Sequence, residues 1–215
     1  MDYGKIIKFP MKDKDWLVKI IVGGILSIIP IVNFIAFGYE FKTMKNAINL
    51  KPGMPEWKGF TDLFVKGIVV FVIALLYMIV PLIIFGAVAG FSAIAGAMGG
   101  FANPYSIIVT MLPALFIGGI LILIVGFILP MAIAMYAKSD NFGDAFKFGE
   151  IFNRIKSVLG EYIISYIVLI ILGIILGFIG LIPFIGWLLS LFGTFYLGVL
   201  AFNMFGELYL KSKAT

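Results

Sequence analysis

The residues able to do chemistry in this chain are few. Glu40 and Glu207 are carboxylates at the ends of long apolar runs. In that position a carboxylate can gate a path or hold a cation, and burial can raise its pKa enough for it to carry a proton. Left at a membrane interface, it is only a solvated charge. Asn33 and Asn203 are the neutral counterparts. An Asn in hydrocarbon usually bonds to another helix, worth roughly 0.6–2 kcal/mol, or touches a ligand. Asn33 reads more simply as a turn residue, and Asn203 as a bond between helices. Asp13, Asp15, Glu56 and Asp62 are oxygen donors of the kind Mg²⁺ or Ca²⁺ needs. Lys12, Lys14 and Lys58 interleave with them, and the Asp-x-Asp pair suits a helix N-terminus, so no metal site is expected.

The missing residue types exclude more. With no Cys and no His, there are no disulfides, iron–sulfur clusters or His-ligated haem, few routes to zinc, and no His-based triad. No phosphate-cradling G-x-x-x-x-G-K-[ST] loop is present. No catalytic residue is assigned and no cofactor is expected. The formal charge of +5 is small and mixed with acids, so nucleic acid is not an expected partner. The start, Met1-Asp2-Tyr3-Gly4-Lys5, lacks the pattern of a cleaved signal, and the first apolar segment is expected to be retained.

The elements that must position these groups follow from hydropathy. Of 215 residues, 62% are apolar and 13% charged, against about 25% charged in soluble domains, and mean hydropathy is +1.15. Charges are absent from 20–39, 67–137 and 162–206, runs of 20, 71 and 45 residues, where about 18 suggests a membrane span. The 16 Lys and Arg fall in four patches between and beside these runs. Short cytoplasmic loops collect such residues, and the patches share one side only if each run crosses an even number of times.

The run 67–137 then holds two spans, turning through Gly99-Gly100-Phe101-Ala102-Asn103-Pro104, and 162–206 holds two short ones. Residues 17–49 become a hairpin, Trp16–Ile29 then Phe34–Asn49, turning at Pro30-Ile31-Val32-Asn33. An arm of 14 residues rises about 21 Å, against a hydrocarbon core of about 30 Å, so this hairpin is re-entrant or tilted.

The expected fold is therefore an all-α integral membrane protein of six short transmembrane or re-entrant helices, arranged as three hairpins with cytoplasmic interfacial amphipathic helices. It forms a single membrane domain over 1–215, in sections 1–50, 51–137 and 138–215. Both termini are expected in the cytoplasm of a multi-pass protein of the cell membrane.

An internal match supports the hairpins. Ile29-Pro30-Ile31-Val32-Asn33-Phe34-Ile35 agrees in residue type with Ile182-Pro183-Phe184-Ile185-Gly186-Trp187-Leu188. Pro and a residue tolerant of left-handed backbone suit a tight turn. Each hairpin is entered through an amphipathic segment. Asn141–Leu159 is the clearest, with Phe146 and Phe152 on its apolar face, and Pro55–Lys66 is a shorter one. Trp16, Trp57 and Trp187 are expected as interfacial anchors. Gly86-x-x-x-Gly90, Gly96-x-x-x-Gly100 and Gly173-x-x-x-Gly177 are expected to pack helices within the chain.

Four stretches carry a family resemblance: Phe9-Pro10-x-Lys12-Asp13-x-Asp15-Trp16, Ile29-Pro30-Ile31-Val32-Asn33-Phe34, Gly38-Tyr39 and Met54-Pro55-Glu56-Trp57. They resemble an uncharacterised prokaryotic, mainly archaeal membrane family, domain of unknown function four-thousand-and-thirteen. The segment Phe142-Gly143-Asp144-Ala145-Phe146 is also similar to a motif in membrane regions fused to some bacterial glycerophosphodiester phosphodiesterases, whose soluble catalytic domain has no counterpart here. The resemblance implies six helices and supplies no activity.

The expected function is that of a non-enzymatic integral membrane protein organising lipid or a membrane partner. The alternative is a small passive channel or uncoupled transporter, and a lipid-modifying activity has the least support. Membrane lipid is the expected partner, with a second copy of the chain or another membrane protein as further candidates.

Overall fold

The computed structural model describes residues 2–98 and 104–213, and side chains outside 95–110. The expected turn at 99–103 and the motif Gly96-x-x-x-Gly100 lie outside the described residues or side chains. All regular structure described is helical. The helices are α1 (Tyr3–Ile7), α2 (Trp16–Ile28), α3 (Asn33–Ile48), α4 (Phe60–Met98), α5 (Pro104–Ser139), α6 (Phe148–Ser157), α7 (Leu159–Gly180) and α8 (Ile185–Lys211), with 3-10 turns at Pro10–Lys12 and Phe142–Phe146.

Four stretches are long and apolar enough to cross a membrane: Phe60–Ile94, Met111–Ser139, α7 and α8. These replace the expectation of uniformly short segments. At 39 and 36 residues, α4 and α5 rise about 58 and 54 Å, nearly twice the hydrocarbon thickness. The expected interfacial segment Pro55–Lys66 does not stand apart. Its chain turns at Gly59, and α4 begins at Phe60. Asp62 in the first turn suits the positive helix end, and no breaker separates it from the apolar run.

The chain divides into two compact units, Met1–Phe71 with Pro130–Thr215, and Val72–Leu129. In the first, α8 packs against α2, α3 and α7. Ile20, Ala36, Tyr39, Met54, Phe195 and Val199 form one buried cluster, with Phe9, Trp16 and Trp57 packed on it. Close approach is set by glycine. A Cβ on Gly38 would stand 1.8 Å from the Leu63 carbonyl oxygen, and one on Gly67 1.8 Å from that of Phe34. The backbones of α3 and the first turns of α4 therefore touch. In the second unit Ile73 and Ala114 are fully buried, while Phe91, Phe116 and Leu123 are exposed.

The glycine motifs named in advance do something else. A Cβ on Gly86, Gly90, Gly173 or Gly177 would meet nothing within 4 Å. Among the described residues they have no helix neighbour to pack against. Spacing alone identified them, and spacing does not say which helix face has a neighbour.

The two matched turns share part of their backbone. Ile31 and Phe184, at equivalent places after Pro, both have positive φ, 71° and 61°. The Asn33 N–H donates to the Ile29 carbonyl and the Gly186 N–H to that of Ile182, each at 2.9 Å. The Ile29 and Ile182 N–H groups donate three residues back, to Leu26 and Ile179. After the positive-φ residue the two turns part: the Ile185 N–H donates to the Pro183 carbonyl at 2.7 Å, whereas the Phe34 and Ile35 N–H groups donate to the Ile31 and Val32 carbonyls.

The amphipathic stretch 141–159 is also resolved into parts. A 3-10 turn, capped by the Asn141 carboxamide oxygen accepting from the Gly143 N–H, precedes α6. On α6 the side facing the protein is Ile151 and Ile155, with Phe146 half-buried just before it. Phe142, Phe148 and Phe152 are exposed. The apolar arc is wider than the protein surface it covers.

Candidate functional site

Of the stretches that carried the family resemblance, those with Phe9 and Trp16, with Tyr39 and with Met54 and Trp57 meet in one knot at the charged end of α2, while Ile29–Phe34 forms the turn at its other end. Lys19 is 4% exposed, and its Nζ lies 2.8 Å from Asp13 Oδ2 and 2.7 Å from Glu56 Oε1. Burial pushes the Asp13 carboxyl up, but hydrogen bonds from Lys19 and the Asp15 N–H outweigh it and leave it below the usual carboxylate range. The Trp57 indole N–H donates to the Lys19 carbonyl (3.2 Å), and the Tyr39 hydroxyl to the Pro55 carbonyl (2.7 Å). The two rings stack at 4.0 Å. Trp57 and Trp16 are therefore wedged into this knot, whereas Trp187 is 67% exposed. Among the described residues no three carboxylates converge as a metal site would require. Asp13 and Glu56 converge on Lys19, which the sequence reading did not single out.

A basic pocket of about 220 Å³ lies where α3 ends against the start of α4, lined by Lys42, Lys45, Lys51, Lys66, Asn46 and Asn49, with Asp62 as the one carboxylate among the described lining residues. Two of its lysines are tethered. Asp140, left-handed at the end of α5 (φ 56°), reaches back to Lys45 and to Lys66, the latter at 3.0 Å. The Lys45 ammonium, joined by that of Lys66, outweighs burial and holds the Asp140 carboxyl below its ordinary range. Lys42 makes only a long contact, 3.5 Å, to the Lys58 carbonyl. An electropositive hollow with two amide side chains is chemistry for an anion, most simply a phosphate-bearing headgroup.

The intramembrane candidates separate into two kinds. Asn203, 3% exposed, donates from Nδ2 to Glu207 Oε1 at 3.0 Å on its own helix. That pair answers itself. Glu40 is buried, and no hydrogen bond or ion pair joins it to any described residue. Its carboxylate occupies the space over Gly198, where a Cβ would stand 2.0 Å from Oε1. Asn33 opens α3 as expected of a turn residue, but its buried Oδ1 has no hydrogen-bond partner.

Ion pairs stitch the charged patches together: Lys19 to Glu56, Lys45 and Lys66 to Asp140, and Lys211 to Glu161. Arg154 pairs with Glu150, lies 4.4 Å from the Tyr209 ring and reaches Ser212 Oγ at 3.2 Å. Long apolar helices, tight apolar turns and charges gathered at helix ends define a helical protein of the multi-pass membrane class. Within that class, residues 22–185 match the family described as "Protein of unknown function (DUF4013)", and the chain belongs to it. No curated protein and no solved structure matches the chain.

Proposed function

We propose that this protein is a non-enzymatic membrane module that binds and organises anionic lipid at its charged end. The observation that carries the reading is the basic pocket at Lys42, Lys45, Lys51 and Lys66. Beside it in function stands α6, whose exposed Phe148 and Phe152 suit an edge dipped among acyl chains while its charged side stays in water. In this reading α2–α3 enters and leaves on the cytoplasmic side without spanning. Its 13-residue first arm rises only about 20 Å, and ion pairs already join the basic patches on either side of it. The termini are then cytoplasmic, and anionic lipid of the inner leaflet is within reach of the pocket.

The test is lipid retention. Purified protein in mixed phosphatidylglycerol and phosphatidylcholine nanodiscs should enrich the anionic lipid around itself. Lys42→Gln and Lys51→Gln should each weaken that preference about fivefold at low salt, the equivalent of about 1 kcal/mol per lysine. Equal retention by wild type and the double variant contradicts the reading. A passive pathway for a small solute is the second reading, favoured by the hollow around Glu40. Flux into liposomes, unchanged by the lysine substitutions, would separate it from the first.

A further inference from the structure

The geometry points to a second site, independent of the basic pocket, that takes an organic ammonium group in the hollow between α2, α3 and α8, with Glu40 as the counter-charge. The hollow has a volume of about 390 Å³ and is lined by Ser27, Phe37, Glu40, Trp187, Ser190, Thr194 and their neighbours. Glu40 is 8% exposed. A buried carboxylate left alone costs several kcal/mol, so this one demands a proton or a cation. No other charged side chain lines the hollow.

The hydroxyls decide what kind of ligand fits. Ser27 Oγ donates to the Gly23 carbonyl at 2.8 Å, Thr194 Oγ1 to that of Ser190 at 2.7 Å, and Ser190 Oγ to that of Leu176 at 3.4 Å. A hydroxyl has one proton and two lone pairs. With their protons directed at carbonyls of their own helices, Ser27 and Thr194 keep their lone pairs for the hollow, whereas Ser190 Oγ turns toward α7, against Leu176 and Gly180. The ligand must therefore donate. A bare metal ion would want six or more oxygen ligands, whereas the remaining walls are the side chains of Phe37, Trp187, Leu191 and Phe195. Aromatic faces favour organic cations. One carboxylate, acceptor hydroxyls and aromatic walls are complementary to an alkylammonium. Gly198 completes the fit, because any side chain there would displace the carboxylate.

The ammonium has two sources, a free amine or an amine-bearing lipid headgroup. The test uses the full chain in nanodiscs of phosphatidylglycerol, whose headgroup carries no ammonium, and measures n-butylammonium binding by equilibrium dialysis. Saturable binding is expected, at least tenfold weaker for Glu40→Gln and for Gly198→Ala, and unchanged for Glu207→Gln. Gly198→Ala keeps the carboxyl and shifts it, so it serves if Glu40→Gln does not fold. In nanodiscs with phosphatidylethanolamine, competition against n-butylammonium assigns the site to the headgroup, and undiminished binding assigns it to free amines. The inference is overturned if wild type shows no saturable binding in the amine-free discs. It is also overturned if Glu40→Gln and Gly198→Ala bind as wild type does, or if n-butanol binds as tightly as the amine.

Discussion

The arms α3 and α7 each adjoin an Ile-Pro turn and meet opposite surroundings. Most of the C-terminal two-thirds of α3 is buried, from Ala36 to Ile48, and Gly23 of α2 lies under the Phe195 ring. On α7 the buried residues are Tyr162 and Ser165, and its isoleucines face outward. A turn is thus a local property, specified by Ile-Pro and a left-handed residue. Whether an arm is covered is set by which of its faces meets a neighbour distant in the chain, as Gly38 meets Leu63 while Gly173 and Gly177 meet nothing. The covered α3 carries Glu40, and α7 is free of charge beyond its first turn, while its partner α8 packs against α2 and α3.

The contrast can be broken at its tightest point. Gly38→Ala and Gly67→Ala push a Cβ into a backbone carbonyl that no rotamer change can move aside. Each should cost about 3 kcal/mol or more, read as lost folded protein in detergent thermal melts. Lys19→Met comes next. It leaves the partly exposed Asp13 without its cation, and the loss should be about 2 kcal/mol, below the range for a fully buried pair because Asp13 and Glu56 both reach solvent. In the same melts Gly173→Ala and Gly177→Ala on α7 should be neutral or slightly stabilising, since nothing within 4 Å receives the new methyl. A loss equal to that of Gly38→Ala would erase the distinction between α3 and α7.

Smaller effects sharpen it. The Asp140 carboxyl is held low by Lys45 and Lys66. A group with a depressed folded pKa stabilises the fold above its unfolded value, about 4, and that contribution disappears as pH falls through the folded value. Stability of the wild type should therefore decline below about pH 4, and Lys45→Ala should flatten part of that decline. Melts across pH 3–7 measure it. Lys211→Ala removes an exposed pair with Glu161 and should change stability by no more than about 0.5 kcal/mol.

Much of this was legible in the sequence, for physical reasons. Charge-free runs announce apolar helices, and the Ile-Pro match announces a repeated turn, because both depend on residues close in the chain. The length of α4 was not legible, since the amphipathic opening at Phe60–Lys66 and the apolar run differ in composition yet continue one helix. Glu40 and Glu207 looked alike as carboxylates beside apolar runs. Only packing shows that Glu207 finds Asn203 four residues away, while Glu40 points over Gly198, distant in sequence. Lys19 was hidden for the same reason. Its partners Asp13 and Glu56 come from either side of a hairpin, and their interleaved lysines obscured the one that is buried.

The central claim is that α2–α3 returns to the side it enters, placing the basic pocket with the other basic patches. The chain has no cysteine, so Lys58→Cys, at an exposed position just before α4, introduces a unique thiol. In intact cells an impermeant maleimide added outside should leave this thiol unlabelled, and permeabilisation should make it reactive. Labelling in intact cells would place this loop outside, apart from the cytoplasmic side the account assigns to it, and would contradict the account.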